Sequence, residues 1–196
     1  MSVESGHYRL GPGDGRLVLR TFRDGLAARA GHDLTIEATR WSGDLTVGAD
    51  EAPSGLDVRI EMGSLVVREG SGGVKPLTDR DRREIAVIAR KVLTADRHPE
   101  ASFTASGFDR DAGGWQVTGS LTLAGRTRPL RLRIAEPRPE HYQLTASVLQ
   151  SDFGIKPYTG FMGALRVRDA VDIEAEGALP APDGAVTADG EAGGAS

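Results

Sequence analysis

Cysteine is absent from the 196 residues, which excludes a disulfide framework, a thiolate nucleophile, and zinc or iron–sulfur sites built on thiolates. No run of about 18 apolar residues able to span a bilayer occurs. The opening stretch MSVESGHYRL has no basic segment followed by an apolar one, so no export signal is visible and the expected location is cytoplasmic. There is also no block of positive charge. Lys and Arg number 24 against 28 Asp and Glu, for a net charge of -4, and the arginines are spread over alternating segments, so the electrostatic footprint of a nucleic-acid partner is missing. With 26 Gly and 10 Pro the chain stays below the roughly one-quarter share typical of low-complexity disorder. It should fold, with many turns, as one domain.

The motifs of common chemistries are missing too. His7, His32, His98 and His141 show no His-x-His or His-x3-His spacing, so no metal site is expected. No Gly-x-Ser-x-Gly elbow anchors an acyl-transfer triad. SDFG at Ser151–Gly154 lacks the phosphate loop and catalytic loop that give this motif meaning in kinases, and GPGDG at Gly11–Gly15 is followed by strand and not by the helix of a dinucleotide site. Asp79 and Asp81 stand at a helix start, where they complement the helix dipole. The expectation is no catalytic residue, no metal and no cofactor.

What is present is alternation of period two, the mark of half-buried strands. Leu34, Ile36 and Ala38 oppose Thr35, Glu37 and Thr39; Leu56, Val58, Ile60 and Met62 oppose Asp57, Arg59 and Glu61. Leu130, Leu132 and Ile134 repeat the scheme, as does a single run from Leu165 to Gly177. Further strands are predicted at Arg16–Phe22, Asp44–Val47, Ala101–Phe108, Trp115–Leu123 and Tyr142–Ser151, separated by Gly- and Pro-bearing turns. The total is eight or nine. A set this large with one apolar and one charged face must close or stack, and its charged outer face argues against a membrane barrel.

One segment departs from this rhythm. Between Asp79 and Leu93, Ile85, Ile88, Ala89 and Val92 fall on one helical stripe, and Thr78 with Asp81 resembles a capping box. A single amphipathic helix in such a chain is expected to cover an open end or face of the sheet. The stretch Gly63–Leu77 is predicted to be a mobile loop leading into it. Residues 1–6 and the acidic stretch 179–196 are predicted to be disordered, leaving a domain over 7–178.

The inward faces can be read in two ways, as a solid core or as the wall of a cavity for one small apolar ligand. Small residues at inward positions, Ala38, Ala105, Gly119 and Ala146, lean toward space inside, and Phe161 with Met162 lies in a loop as an adaptable apolar contact. The residues alone leave both readings open. An enzyme using His32, Asp33 or Tyr158 as acid or base, and a filled module of stress or interaction type, are the rivals.

Four segments together resemble the YceI-like family of polyisoprenoid-binding proteins: GHDLTIEATRWSG at Gly31–Gly43, ADRHPEASFTASGF at Ala95–Phe108, GSLTLAGRTRPLRL at Gly119–Leu132, and SDFGIKP at Ser151–Pro157 followed by VRDAVDIEAEG. The resemblance runs from about Tyr8 to about Gly177. It implies an all-β, closed antiparallel lipocalin-like barrel of about eight strands with one inserted amphipathic α-helix. It also implies a carrier, storage or sensing role with an isoprenoid or fatty-acyl lipid as partner, and a homodimer as a candidate assembly. Members are commonly exported, whereas no signal is seen here, and Gln150 stands where many members carry a basic residue. The ligand-binding candidates are Leu34, Ile36, Ile60, Phe103, Leu121, Leu123, Val148, Phe153, Phe161, Met162, Val167 and Ile173, with Lys156 and Tyr158 for a head group and His32 as a lesser candidate.

Overall fold

Alternating apolar side chains become strands because only an extended, paired backbone buries every second residue while satisfying its N–H and C=O groups. The computed structural model describes residues 3–183. The chain runs β1 (Gly6–Leu10), β2 (Gly15–Thr21), β3 (Arg23–Asp24), β4 (His32–Ala38), β5 (Trp41–Val47), β6 (Pro53–Glu61) and β7 (Leu65–Gly72). Then follow α1 (Asp79–Val92), β8 (Glu100–Asp111), β9 (Gly114–Leu123), β10 (Arg126–Arg138) and β11 (His141–Leu149), and finally β12 (Thr159–Gly160), β13 (Leu165–Val167) and β14 (Ala170–Gly177). One antiparallel sheet of 11 strands has the order β1-β5-β6-β8-β9-β10-β11-β14-β2-β4-β7, and a small sheet has the order β12-β13-β3.

The expected closed barrel of about eight strands is therefore corrected to a large curled sheet of eleven. Two strands that the alternation does not mark account for the larger number, β1 at one edge of the sheet and β7 at the other. GPGD separates β1 from β2, Thr39-Arg40 separates β4 from β5, and a 3-10 turn at Met62–Ser64 separates β6 from β7. The last two breaks lie side by side. The Glu61 N–H donates to the Arg40 carbonyl at 3.0 Å and the Thr39 N–H to the Ser64 carbonyl at 3.3 Å, so the β4–β5 and β6–β7 arms bend together and carry the sheet around.

The expected mobile loop at Gly63–Leu77 is also corrected. Its first half is β7, paired with β4 from Ala38↔Leu65 to His32↔Gly72. Leu65 is wholly buried and Val67 nearly so. The run expected as one strand from Leu165 splits at Arg168-Asp169 into β13 and β14, which belong to different sheets.

Helix α1 starts where the sequence places it. The Thr78 hydroxyl accepts from the Asp81 N–H at 3.2 Å and the Asp81 carboxylate from the Thr78 N–H at 2.9 Å, which satisfies two donors the helix start would otherwise leave unpaired. It packs against β7 and so covers one sheet edge, which left bare would offer a template for another strand. The other edge, β1, meets the far end of the chain: the Asp183 N–H donates to the His7 carbonyl at 2.7 Å and Arg9 pairs with Asp183 at 3.1 Å. The expected disorder at residues 1–2 and 184–196 lies outside the described residues.

Candidate functional site: an apolar cavity under the helix

Where the sheet curls and α1 lies across it, the inward side chains do not meet. They enclose a cavity of about 330 Å³. The sheet contributes Leu34 and Ile36 from β4, Ile60 from β6, Leu121 and Leu123 from β9, Val148 from β11 and Ile173 from β14. Helix α1 contributes Ile85, Ile88, Ala89 and Val92, the whole of its apolar stripe. An aliphatic lining of this kind releases no hydrogen-bonded water to an entering chain, and each Å² of apolar surface covered is worth about 25 cal/mol.

The rim is built by the small sheet and the segment before β4. Val167 and Leu165 on β13, Tyr158 just before β12, and Ala30 and Gly31 edge the cavity. Gly31 lets Leu165 lie close at the rim, since a Cβ would meet Leu165 Cδ1 at 2.6 Å and the leucine would have to shift. The polar side chains on the lining are Thr21, Arg23, His32, Gln150, Tyr158 and Arg166. Several are already engaged. Arg23 donates to the carbonyls of Gly31 at 2.9 Å and Ser71 at 3.1 Å, and Gln150 Nε2 donates to the Arg168 carbonyl at 2.9 Å. Arg166 is half-exposed, with Asp24 as its ion-pair partner at 4.0 Å.

Of the residues singled out in the sequence, ten lie on this cavity: Leu34, Ile36, Ile60, Leu121, Leu123, Val148, Tyr158, Val167, Ile173 and His32. The others do not. Lys156 is exposed and off the lining, while its neighbour Ile155 is buried and on it. Met162 is fully exposed, at a positive φ of 55°. Phe153, the last residue of the 3-10 turn Gln150–Phe153, is buried in the core, and Phe103 is buried without reaching the cavity. The side chain of Phe161 lies outside the described set. Missed in the sequence were Arg23, on a two-residue strand without a pattern of its own, and Arg166, which the alternation from Leu165 places on the outward face.

Two of the three acid–base candidates are engaged structurally. Asp33 points away from the cavity and accepts from the Arg23 N–H at 2.8 Å, while His32 Nε2 lies 2.8 Å from the Lys75 carbonyl oxygen. Among the described residues no group of three or more His, Asp or Glu side chains is placed to hold a metal. No helix among them is long and apolar enough to cross a membrane.

A second cavity, of about 170 Å³, lies toward the other end of the sheet, lined by Trp41, Leu45, Val58, Trp115, Ile134, Tyr142 and Leu144 among others. Burial holds the Tyr142 hydroxyl above its usual pKa, with Glu136 adding to the effect, so it stays neutral. Among the described residues the Trp41 indole N–H finds no hydrogen-bond partner.

The model of the YceI-like domain matches residues 22–179. The chain belongs to the YceI-like family. A UPF0312 protein of Pectobacterium atrosepticum is 33% identical over 55 residues, 28% of this chain and 29% of that protein. A second, from Pectobacterium carotovorum, matches to the same extent. The alignment thus spans under a third of these curated relatives. Among solved structures, Burkholderia cenocepacia BcnA superposes with a TM-score of 0.52 at 16% identity, covering 82% of this chain and 94% of its own. The Campylobacter jejuni YCEI protein gives 0.54 at 18% identity, covering 74% and 84%. At these identities the likeness is one of fold: the all-β architecture of this YceI-like chain is shared.

Proposed function

We propose that this YceI-like protein binds an isoprenoid or other long-chain apolar lipid in the larger cavity and acts as a carrier, store or sensor of it. The observation that carries the reading is the cavity itself: about 330 Å³ walled by aliphatic side chains of the curled sheet and the full apolar stripe of α1. A packed core fills such space, since interiors approach crystal density and an empty void forfeits contacts on every wall. The family supports the same reading. The head group would lie at the rim, where Tyr158 and Arg166 are partly exposed, and a carboxylate or phosphate is the chemistry a guanidinium recognises. His32 and Asp33 are committed to backbone partners, which favours binding over catalysis.

Native mass spectrometry of the purified protein, followed by organic extraction, tests this. A stoichiometric prenyl or acyl lipid is the expected result, and Leu121→Asp or Val148→Asp should abolish uptake in a protein that still folds. A clean apo mass together with no thermal shift on adding prenyl alcohols or fatty acids would overturn the reading.

A further inference from the structure

Charge is unevenly placed on this protein. The chain carries a net charge of -4, yet the segments that edge the larger cavity, residues 23–33, 71–78 and 156–168, hold six Lys and Arg against two Asp. Both acids are engaged. Asp33 accepts from the Arg23 N–H at 2.8 Å, and Asp24 faces Arg166 at 4.0 Å. Arg29, Lys75 and Lys156 are exposed, so the mouth of the cavity is basic in an acidic protein.

The same end carries most of the exposed apolar bulk. Among the described residues six large apolar side chains are exposed, and four of them, Leu26, Val74, Tyr158 and Met162, belong to these three segments. Leu26 and Met162 are exposed to 100% and 107%, so the rest of the chain covers neither. They share one tip of the small sheet. Asp24 is opposite Arg166 across β3 and β13, the Ala27 N–H donates to the Ala164 carbonyl at 2.9 Å, and Met162 stands in the turn that joins β12 to β13. Gly25 permits this approach: its φ is 94°, and a Cβ there would stand 2.5 Å from the Ala164 carbonyl oxygen. The tip is fixed to the mouth, because Ala30, Gly31, Leu165 and Arg166, a few residues away, line the larger cavity.

Single exposed apolar side chains are ordinary on a protein surface. Two that project uncovered from one tip, within a ring of cations and beside the opening of an apolar cavity, fit a bilayer surface: the apolar groups enter the boundary between head groups and acyl chains while the cations meet the phosphates. A stable protein partner needs a broad face of about 800 Å² on each side, which a narrow tip set among charges does not offer. We propose that this end docks on a bilayer containing anionic lipids, with Leu26 and Met162 inserted and Arg29, Lys75 and Lys156 against the phosphates, so that a lipid passes between bilayer and cavity without crossing water. The inference rests on the lipid-binding reading above and supplies the source of the lipid.

The full chain is sedimented with vesicles of phosphatidylcholine alone or mixed with phosphatidylglycerol, and binding of dodecanoic acid in free solution is measured in parallel by calorimetry. The native protein should pellet with the mixed vesicles, and should be released as salt rises from about 0.1 to about 1 M, where the screening length falls from about 10 to about 3 Å. Leu26→Ser combined with Met162→Ser should weaken vesicle binding by about tenfold or more and leave dodecanoic acid binding unchanged, since both side chains lie off the cavity lining. Arg29→Glu should weaken binding to the mixed vesicles by about fivefold, whereas Val87→Ser, at an exposed position on α1, should change nothing. Equal pelleting of the native protein and the double variant, or no pelleting with either vesicle, would overturn the docking and leave the lipid reading standing. A dimer in analytical ultracentrifugation that the double variant dissociates, without vesicle binding, would give the tip to a second copy and overturn the docking as well. Pelleting without any uptake of dodecanoic acid would overturn the lipid reading and the transfer of lipid, while the docking itself stands.

Discussion

The ring Nε2 of His32 lies 2.8 Å from the backbone carbonyl of Lys75, tying the first residue of β4 to the segment that leads into α1. A carbonyl only accepts, so Nε2 carries the proton in this contact. His32 also lines the larger cavity, which makes it a link between the cavity wall and the helix that covers it. His32→Ala should cost about 1 kcal/mol and lower Tm by about 2–4 °C for a chain of this size. Hydrogen exchange should quicken at residues 73–82 first. Unaltered exchange there would show that the tether does not hold the helix start.

Glu37 accepts from Arg68 at 2.9 Å and from Arg16 at 3.2 Å, joining β7, β4 and β2 on the outer face. The Arg68 hydrogen bond is the main reason its carboxyl is held below the ordinary glutamate range. Because the folded pKa is depressed, this stabilisation is complete above the unfolded value of about 4.3 and is lost as pH falls through the lower, folded value. Glu37→Gln should cost about 1 kcal/mol at neutral pH. In urea melts across a pH series the two proteins should converge only in acid, and a constant gap down to the lowest pH would contradict the assignment.

Leu65 is 0% exposed, although it lies in the stretch whose sequence suggests a loop. Leu65→Ala should destabilise by about 2–5 kcal/mol, read from the denaturant midpoint. A loss under about 1 kcal/mol would mean that β7 contributes little to the core.

Arg166 is the cation on the cavity lining with the weakest partner, Asp24 at 4.0 Å. Arg166→Ala should weaken binding of a fatty acid by about fivefold, the equivalent of about 1 kcal/mol, while leaving the alcohol of the same chain unaffected. Equal loss for acid and alcohol would place the head group elsewhere.

Thr78→Ala removes the hydroxyl that accepts from the Asp81 N–H and should cost about 1 kcal/mol. Far-ultraviolet circular dichroism should show a small helical loss, concentrated at the start of α1.

Strand faces and the helix were legible in the sequence because both depend on local period. Leu34 and Ile36 alternate with charged or hydroxyl neighbours, and Ile85, Ile88, Ala89 and Val92 recur at helical spacing, so the side that must leave water is set by the order of residues alone. Thr78 and Asp81 are three apart, within reach of each other without help from the rest of the chain. Other features depend on residues distant in the chain. Leu65 and Val67 belong to a strand because they pair with Ala38 and Ile36, and the REGSGG stretch beyond them carries no alternation of its own. Phe103 reads as one more inward apolar residue, indistinguishable from Leu121. Only its position over Gly119, a contact between two strands, places it in the core and off the cavity lining. Arg166, outward by alternation, edges the cavity because β13 leaves the large sheet to pair with β12 and β3. Local order decides which way a side chain faces. Whether that inner face meets a void, a rim or another ring is decided by packing across the sheet, where contacts join residues far apart in the chain.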